Sequence, residues 1–184
     1  MPITAQHVRE TLAAYLTEHP NEADRLSAIT ATLDQAGDGI ASRKEFLGHV
    51  TAGAILLRPD SRVLMIKHRA LGKWLLPGGH AEPADATLLA AALRELTEET
   101  GIAAGQVEPV GAVPLDIDVH PIPANPAKGE PAHQHFDFRF LFRTAAETVE
   151  LQEEEVTGYS WRHVEMLTGE PLRSRVMAVA AVAV

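Results

Sequence analysis

The chain contains no cysteine. That absence excludes disulfides, thiolate nucleophiles and zinc–thiolate centres together. A long apolar run is missing too. A membrane span needs roughly 18 consecutive apolar residues, and the nearest stretch, 176–184, is short and rich in alanine. No basic segment followed by an apolar one stands at Met1-Pro2-Ile3-Thr4, so the expectation is a chain without a secretory signal, at home in the cytoplasm. Positive charge is scarce. Lys and Arg number 16 against 25 Asp and Glu, a net charge of −9. Such a chain repels nucleic acid and anionic membranes, which argues against a general polyanion binder. A small phosphorylated substrate stays open, provided a divalent cation lies between the acids and the phosphates.

What is present is ordinary globular material: 184 residues, 46% hydrophobic and 22% charged. Residues 1–47 read as a helical N-terminal extension. Val8, Leu12, Tyr15 and Leu16 recur at helical spacing, and Pro20 closes that helix. Asn21 is placed to cap a second helix carrying Leu26, Ile29 and Leu33, which Gly37-Asp38-Gly39 ends. The pattern changes at His49, and residues 48–184 read as the main domain. Val50–Leu57 and Arg62–Ile66 are aliphatic, β-branched runs around the turn Arg58-Pro59-Asp60-Ser61, so they predict two antiparallel strands. Trp74–Leu76 leads into Pro77-Gly78-Gly79, and a helix is predicted over Ala86–Thr100. Val107–Val119 returns to strand character. Pro121–Pro131 holds four prolines and predicts a stiff loop, with strands following at His133–Phe142 and Tyr159–Trp161. Strands on both sides of a central helix predict an α/β domain with a mixed sheet.

The predicted helix carries the chemistry. Glu95, Glu98 and Glu99 are spaced i, i+3, i+4 and so share a face. Leu89, Leu93, Leu96 and Thr100 make the expected core stripe, and Gly101 supplies the stop. Three neighbouring carboxylates repel one another by a few tenths of a kcal/mol per pair, and the helix C-terminus is already negative. Bound divalent cations reverse that sign, because hard cations want several carboxylate oxygens in one place. Most acidic clusters are merely solvated surface. Here the Gly-rich turn Pro77-Gly78-Gly79-His80 adds weight, since its backbone can approach a ligand and Gly79 can lend a carbonyl oxygen to a metal.

The run Arg94-Glu95-Leu96-Thr97-Glu98-Glu99-Thr100-Gly101-Ile102 resembles the Nudix hydrolase box, whose second half it matches without exception. Gly79 matches the glycine that opens the box. Asp85 stands where the family has its first glutamate, and eight residues rather than seven separate it from Arg94. The resemblance extends over about residues 48–165. It implies an αβα sandwich with a mixed sheet, and metal-dependent hydrolysis of a diphosphate linkage in a nucleoside diphosphate derivative, using Mg2+ with Mn2+ as a substitute. It further implies that Glu95, Glu98 and Glu99 are catalytic metal ligands, that Glu82 joins the metal shell from the loop, and that Arg94 supports the helix by pairing with a carboxylate. A homodimer is common in the family.

A second polar constellation lies downstream. His133, His135, Asp137 and Arg139 alternate, so on a strand they share one face, while Phe136, Phe138, Phe140 and Phe142 take the other and belong to the core. The polar face is a candidate substrate-binding wall, joined by Lys128 from the proline-rich loop. His-x-His is also a metal-ligand spacing, but a third ligand from the same strand would have to be Asp137, which weighs against zinc. Glu153, Glu154 and Glu155 offer an additional acid outside the box. Trp74 and Tyr15 are able to stack on a base, although burial is the commoner fate of both.

Three functions compete. The pyrophosphohydrolase leads. An isoprenoid diphosphate isomerase on the same fold relies on a cysteine that is absent here. A non-catalytic nucleotide-binding or regulatory module usually loses box glutamates, and all three are present.

Overall fold

The computed structural model describes residues 2–146, 149–151 and 156–182. Among these, four stretches are α-helical: α1 (Ala5–Glu18), α2 (Ser27–Ala36), α3 (Leu88–Thr100) and α4 (Leu172–Val182). The strands are β1 (His49–Leu57), β2 (Arg62–His68), β3 (Trp74–Leu75), β4 (Gly78–His80), β5 (Val107–Pro109), β6 (Asp116–Ile122), β7 (His133–Thr144) and β8 (Val156–His163). All eight join one sheet. The order β3-β2-β1-β7-β5 forms its path, with β4 on β1, β6 on β7 and β8 on β2. No helix among the described residues is long and apolar enough to cross a membrane.

The chain forms two compact units. The first comprises residues 1–52, 79–91 and 117–138; the second comprises 53–78, 92–116 and 139–184. In the first, Thr4 caps α1 by accepting from the His7 N–H at 3.2 Å. Val8, Leu12 and Tyr15, spaced i, i+4, i+7, are its buried stripe. The Tyr15 hydroxyl donates to Glu22 Oε2 at 2.7 Å, so a fully buried phenol keeps a partner. The expected start of α2 after Asn21 is corrected. Pro20–Glu22 turns as a 3-10 helix instead, Glu22 being held by Tyr15 and Arg25, and α2 begins at Ser27.

The second unit has an aliphatic core built from Ile55, Leu57, Val63, Leu141, Val164, Leu167, Leu172, Val176 and Ala180. Strand β2 pairs antiparallel with β8, Leu64 facing Trp161, and β5 pairs with β7, Val107 facing Thr144. The expected single strand Val107–Val119 is two strands. Pro109 and Pro114 lack the N–H that a continuous ladder requires, and they bound the gap between β5 and β6. Strand β6 in turn runs on to Ile122, into the expected loop. It pairs with β7, and its Pro121 is exposed, as a proline in an edge strand must be. Gly101 closes α3 with φ +67°, where a side chain is strained in any case, and a Cβ there would lie 2.6 Å from the Glu150 carbonyl oxygen.

Helix α3 starts at Leu88, two residues later than expected, and a residue far away in sequence caps it. The Leu88 N–H donates to His7 Nε2 at 3.0 Å. Only neutral imidazole accepts this bond. Burial depresses the His7 pKa, with Glu10 opposing. Because the folded pKa lies below the unfolded one, this contribution is complete above about pH 6.5 and is lost as pH falls through the window beneath it. Thermal melts from about pH 7.5 to about pH 5.5 should therefore show falling stability, with a shallower slope in His7→Ala. That variant should also lose about 1 kcal/mol at the upper pH. An unchanged slope would rule out His7 as the titrating cap.

Candidate functional site

The acidic helix and the histidine-rich strands present two distinct chemistries. In the second unit, the buried positions of α3 are Ala92, Leu96, Glu99 and Thr100, while Leu93 is half-buried. Leu89, in the first unit, is half-buried as well. The expected stripe is thereby rotated, and it takes in a carboxylate. Glu99 is 3% exposed and its Oε2 accepts from the Gly78 N–H at 2.9 Å. The expectation that Glu99 lies off the core face is corrected: its side chain ties the helix to the Gly-rich turn.

Glu95 and Glu98 behave differently. Their side chains are 13% and 50% exposed, and both approach the same guanidinium, Arg94 Nη1, at 3.1 and 2.8 Å. A cation is thus already drawn between two carboxylates separated by less than one helical turn. These oxygens are hard donors of the kind that Mg2+ and Mn2+ take.

Asp85, at the place of the family's first glutamate, is 5% exposed, and its Oδ2 accepts from the Glu82 N–H at 2.8 Å. The Asp85 N–H returns a bond to the Glu82 carbonyl at 3.0 Å, so the pair forms a closed turn before α3. The Glu82 side chain is exposed, and Gly79 is half-buried in β4. Both belong to the first unit.

The polar face of β7 divides. Arg139 lies in the second unit, where its Nη1 pairs with Asp116 Oδ2 at 3.1 Å while Arg175 Nη1 pairs with the other oxygen at 3.0 Å. Asp137 accepts from Thr51 Oγ1 at 3.1 Å. Lys128 is exposed at the end of the 3-10 turn Pro126–Lys128. Glu153, Glu154 and Glu155 lie outside the described residues.

His133 and His135 keep different company. Within the first unit, rings from four strands gather: His49 of β1, His80 of β4, His120 of β6, and His133 and His135 of β7. Centroids lie 4.6 Å apart for His49–His135, 5.0 Å for His49–His133 and 5.1 Å for His80–His135. His120 stands 5.6 Å from His135, and its Nδ1 is 3.0 Å from Asp118 Oδ2. Burial lowers the pKa of His135 to about 3 and that of His80 to about 4, and the charges of neighbouring imidazoles push the same way. His49 is lowered too, chiefly by burial. At neutral pH these three rings are uncharged and retain lone pairs.

The third metal ligand that the β7 pattern assigned to Asp137 is instead available from another strand. Ring nitrogens of His49, His133 and His135 lie within 4.8 Å of one another. Sequence reasoning misses His49, His80 and His120. The available signal is that each sits in or at the end of a strand-like segment, but nothing local says that those strands are neighbours.

A family model described as the NUDIX domain matches residues 47–179. A probable DHNTP pyrophosphohydrolase of Lactococcus lactis subsp. cremoris is 35% identical over 56% of this chain and 59% of its own length. The phosphatase NudJ of Escherichia coli K12 is 46% identical over 32% of this chain and 39% of its own. The chain thus spans less than two thirds of either relative. Among solved structures, the dihydroneopterin triphosphate pyrophosphohydrolase of E. coli superposes with a TM-score of 0.56 at 18% identity, covering 72% of this chain and 95% of that one. That likeness is one of fold.

The contrast along α3 gives a stability prediction. Glu98→Gln, at a half-exposed position, should change unfolding free energy by less than about 0.5 kcal/mol. Glu99→Ala should cost about 1–3 kcal/mol by leaving the Gly78 N–H unmatched. Urea unfolding measures both, and equal costs would reject the division between them.

Proposed function

The chain belongs to the Nudix family, and from that premise we propose that it hydrolyses a diphosphate linkage in a nucleoside diphosphate derivative with the help of Mg2+, for which Mn2+ can substitute. The observation that carries the proposal is the run Arg94–Ile102 at the end of α3, with Glu95 and Glu98 both pairing with the Arg94 guanidinium and Glu99 anchoring the helix to Gly78. The donors suit a hard divalent ion. Glu95 and Glu98 supply oxygens that already attract the Arg94 guanidinium, and Glu99 brings a further carboxylate one turn beyond Glu95.

When bound, the metal supplies Lewis acidity toward a phosphoryl oxygen and lowers the pKa of bound water. The protein does the rest. Glu98, half-exposed, is the carboxylate most accessible to water and the one we assign to proton removal. Glu99 positions the helix through its bond to the Gly78 amide, so its oxygens stay where the turn holds them. Arg94 keeps the charges of Glu95 and Glu98 from splaying apart when no metal offsets them. We further assign residues 1–47 to an extension of the hydrolase domain and place the protein in the cytoplasm.

The test is phosphate release in a coupled phosphatase assay, with and without Mg2+. The panel covers nucleotide sugars, dinucleoside polyphosphates, nucleoside triphosphates and, after the names of the relatives, dihydroneopterin triphosphate. Magnesium-dependent turnover of one class is expected, reduced about a hundredfold or more in Glu98→Gln, a barrier increase of about 2.7 kcal/mol. Silence across the panel from folded protein that binds Mg2+ would favour a nucleotide-binding module instead.

A further inference from the structure

We propose that His49, His133 and His135 form a second metal site, one that takes a borderline transition cation of the zinc class through three imidazole nitrogens and leaves a fourth position to water or an external ligand. The site uses no residue of the acidic helix. It stands whether or not the diphosphate hydrolysis reading is correct.

Geometry comes first. The three ring nitrogens already lie within 4.8 Å of one another. Tetrahedral zinc with Zn–N near 2.0–2.1 Å needs them about 3.3 Å apart, which small side-chain rotations can supply. The residues come from adjacent strands, β1 and β7, so the sheet sets their spacing. Gly48 contributes directly. A Cβ there would stand 2.6 Å from Phe136 Cζ, so only glycine lets the chain enter β1 this close to β7.

Tautomers come second. His49 Nδ1 lies 3.0 Å from the Glu45 carbonyl oxygen and His133 Nδ1 lies 2.8 Å from that of Pro131. A carbonyl only accepts, so both Nδ1 atoms carry hydrogen and donate. The nitrogen of each ring left to bind a metal is therefore Nε2. Backbone carbonyls fix metal-binding histidines in this way in general, setting both tautomer and orientation. The same constraint takes these two N–H groups away from phosphate, so the histidine wall suits a cation better than an anion.

Burial comes third. His49 is 1% exposed, and its Nε2 is a buried nitrogen with no hydrogen-bond partner among the described residues. An unsatisfied buried acceptor costs free energy. A metal at the centre of the three rings satisfies it. Phe46 lies edge-on to His133 at 5.6 Å. Imidazole-rich sites suit Zn, Cu, Ni and Fe, whereas Mg2+ and Ca2+ prefer oxygen. The two proposed sites therefore sort their cations by ligand softness. Three protein ligands with one open position is the arrangement of zinc centres that act on a ligand, not of closed structural ones. His80 and His120 stand close by, with rings 5.1 and 5.6 Å from His135.

The experiment strips the full chain with a chelator and titrates it with Co2+, a spectroscopic stand-in for zinc. One ion per chain should bind with the intense visible bands of tetrahedral cobalt. The bands should survive in Glu98→Gln and vanish in His135→Ala, with affinity lowered at least about a hundredfold. Weak octahedral bands alone, or bands that depend on Glu98 and not on His135, would overturn the proposal. If His135→Ala does not fold, imidazole nitrogen NMR of the wild-type chain decides. On adding Zn2+ the Nε2 signals of His49 and His133 should move while their Nδ1–H protons persist, and unmoved signals would sink the site.

Discussion

The two-residue period of β7 is the constraint on which the histidine site depends. Phe136, Phe138, Phe140 and Phe142 are each no more than 1% exposed. Burying such a side chain contributes roughly 1.5–3 kcal/mol, so the four together outweigh the roughly 1–3 kcal/mol cost of one unsatisfied buried imidazole nitrogen. A slip of one residue would turn all four rings to the other face, so the register is strongly held. His133 and His135 are then obliged to share the opposite face. There they meet His49, brought in by a chain that passes Phe136 at a distance only Gly48 allows. Aromatic burial thus assembles a polar cluster as its by-product.

On α3 the balance is less one-sided. Glutamates three and four residues apart repel, and they lie near a helix terminus that is itself negative. Burying Glu99 adds a desolvation cost that an exposed pair never meets. The offsets are local and identifiable. Arg94 sits between Glu95 and Glu98, Gly78 donates its amide to Glu99, and Leu96 and Ala92 bury the apolar side of the same helix. A helix arranged in this manner offsets its own repulsion with groups the chain itself supplies. The neutral histidines solve the opposite problem. Burial keeps His49, His80 and His135 uncharged at neutral pH, and His49 Nε2 has no hydrogen-bond partner among the described residues.

Much of this is legible in the order of the amino acids. The Arg94–Ile102 run, the Gly101 stop and the alternation of β7 are local patterns, and a period of 3.6 or 2.0 states which residues share a face. It does not state what the face meets. Pattern alone counts Glu99 with the exposed glutamates, because nothing nearby in sequence announces the amide of Gly78, 21 positions away. Arg139 reads as part of a polar wall, yet it turns to Asp116 beside Arg175, whose own partner is 59 positions distant. The two proline-bounded strands β5 and β6 read as one, since each half has strand composition.

The amino-acid sequence by itself determined the family, the acidic helix and the two faces of β7, because each follows from residues within a few turns or pleats of one another. Only the tertiary structure decided which histidines meet, which glutamate is buried and which nitrogen of His49 faces inward. Those outcomes follow from strand pairing and close packing, which join residues that local periodicity cannot relate.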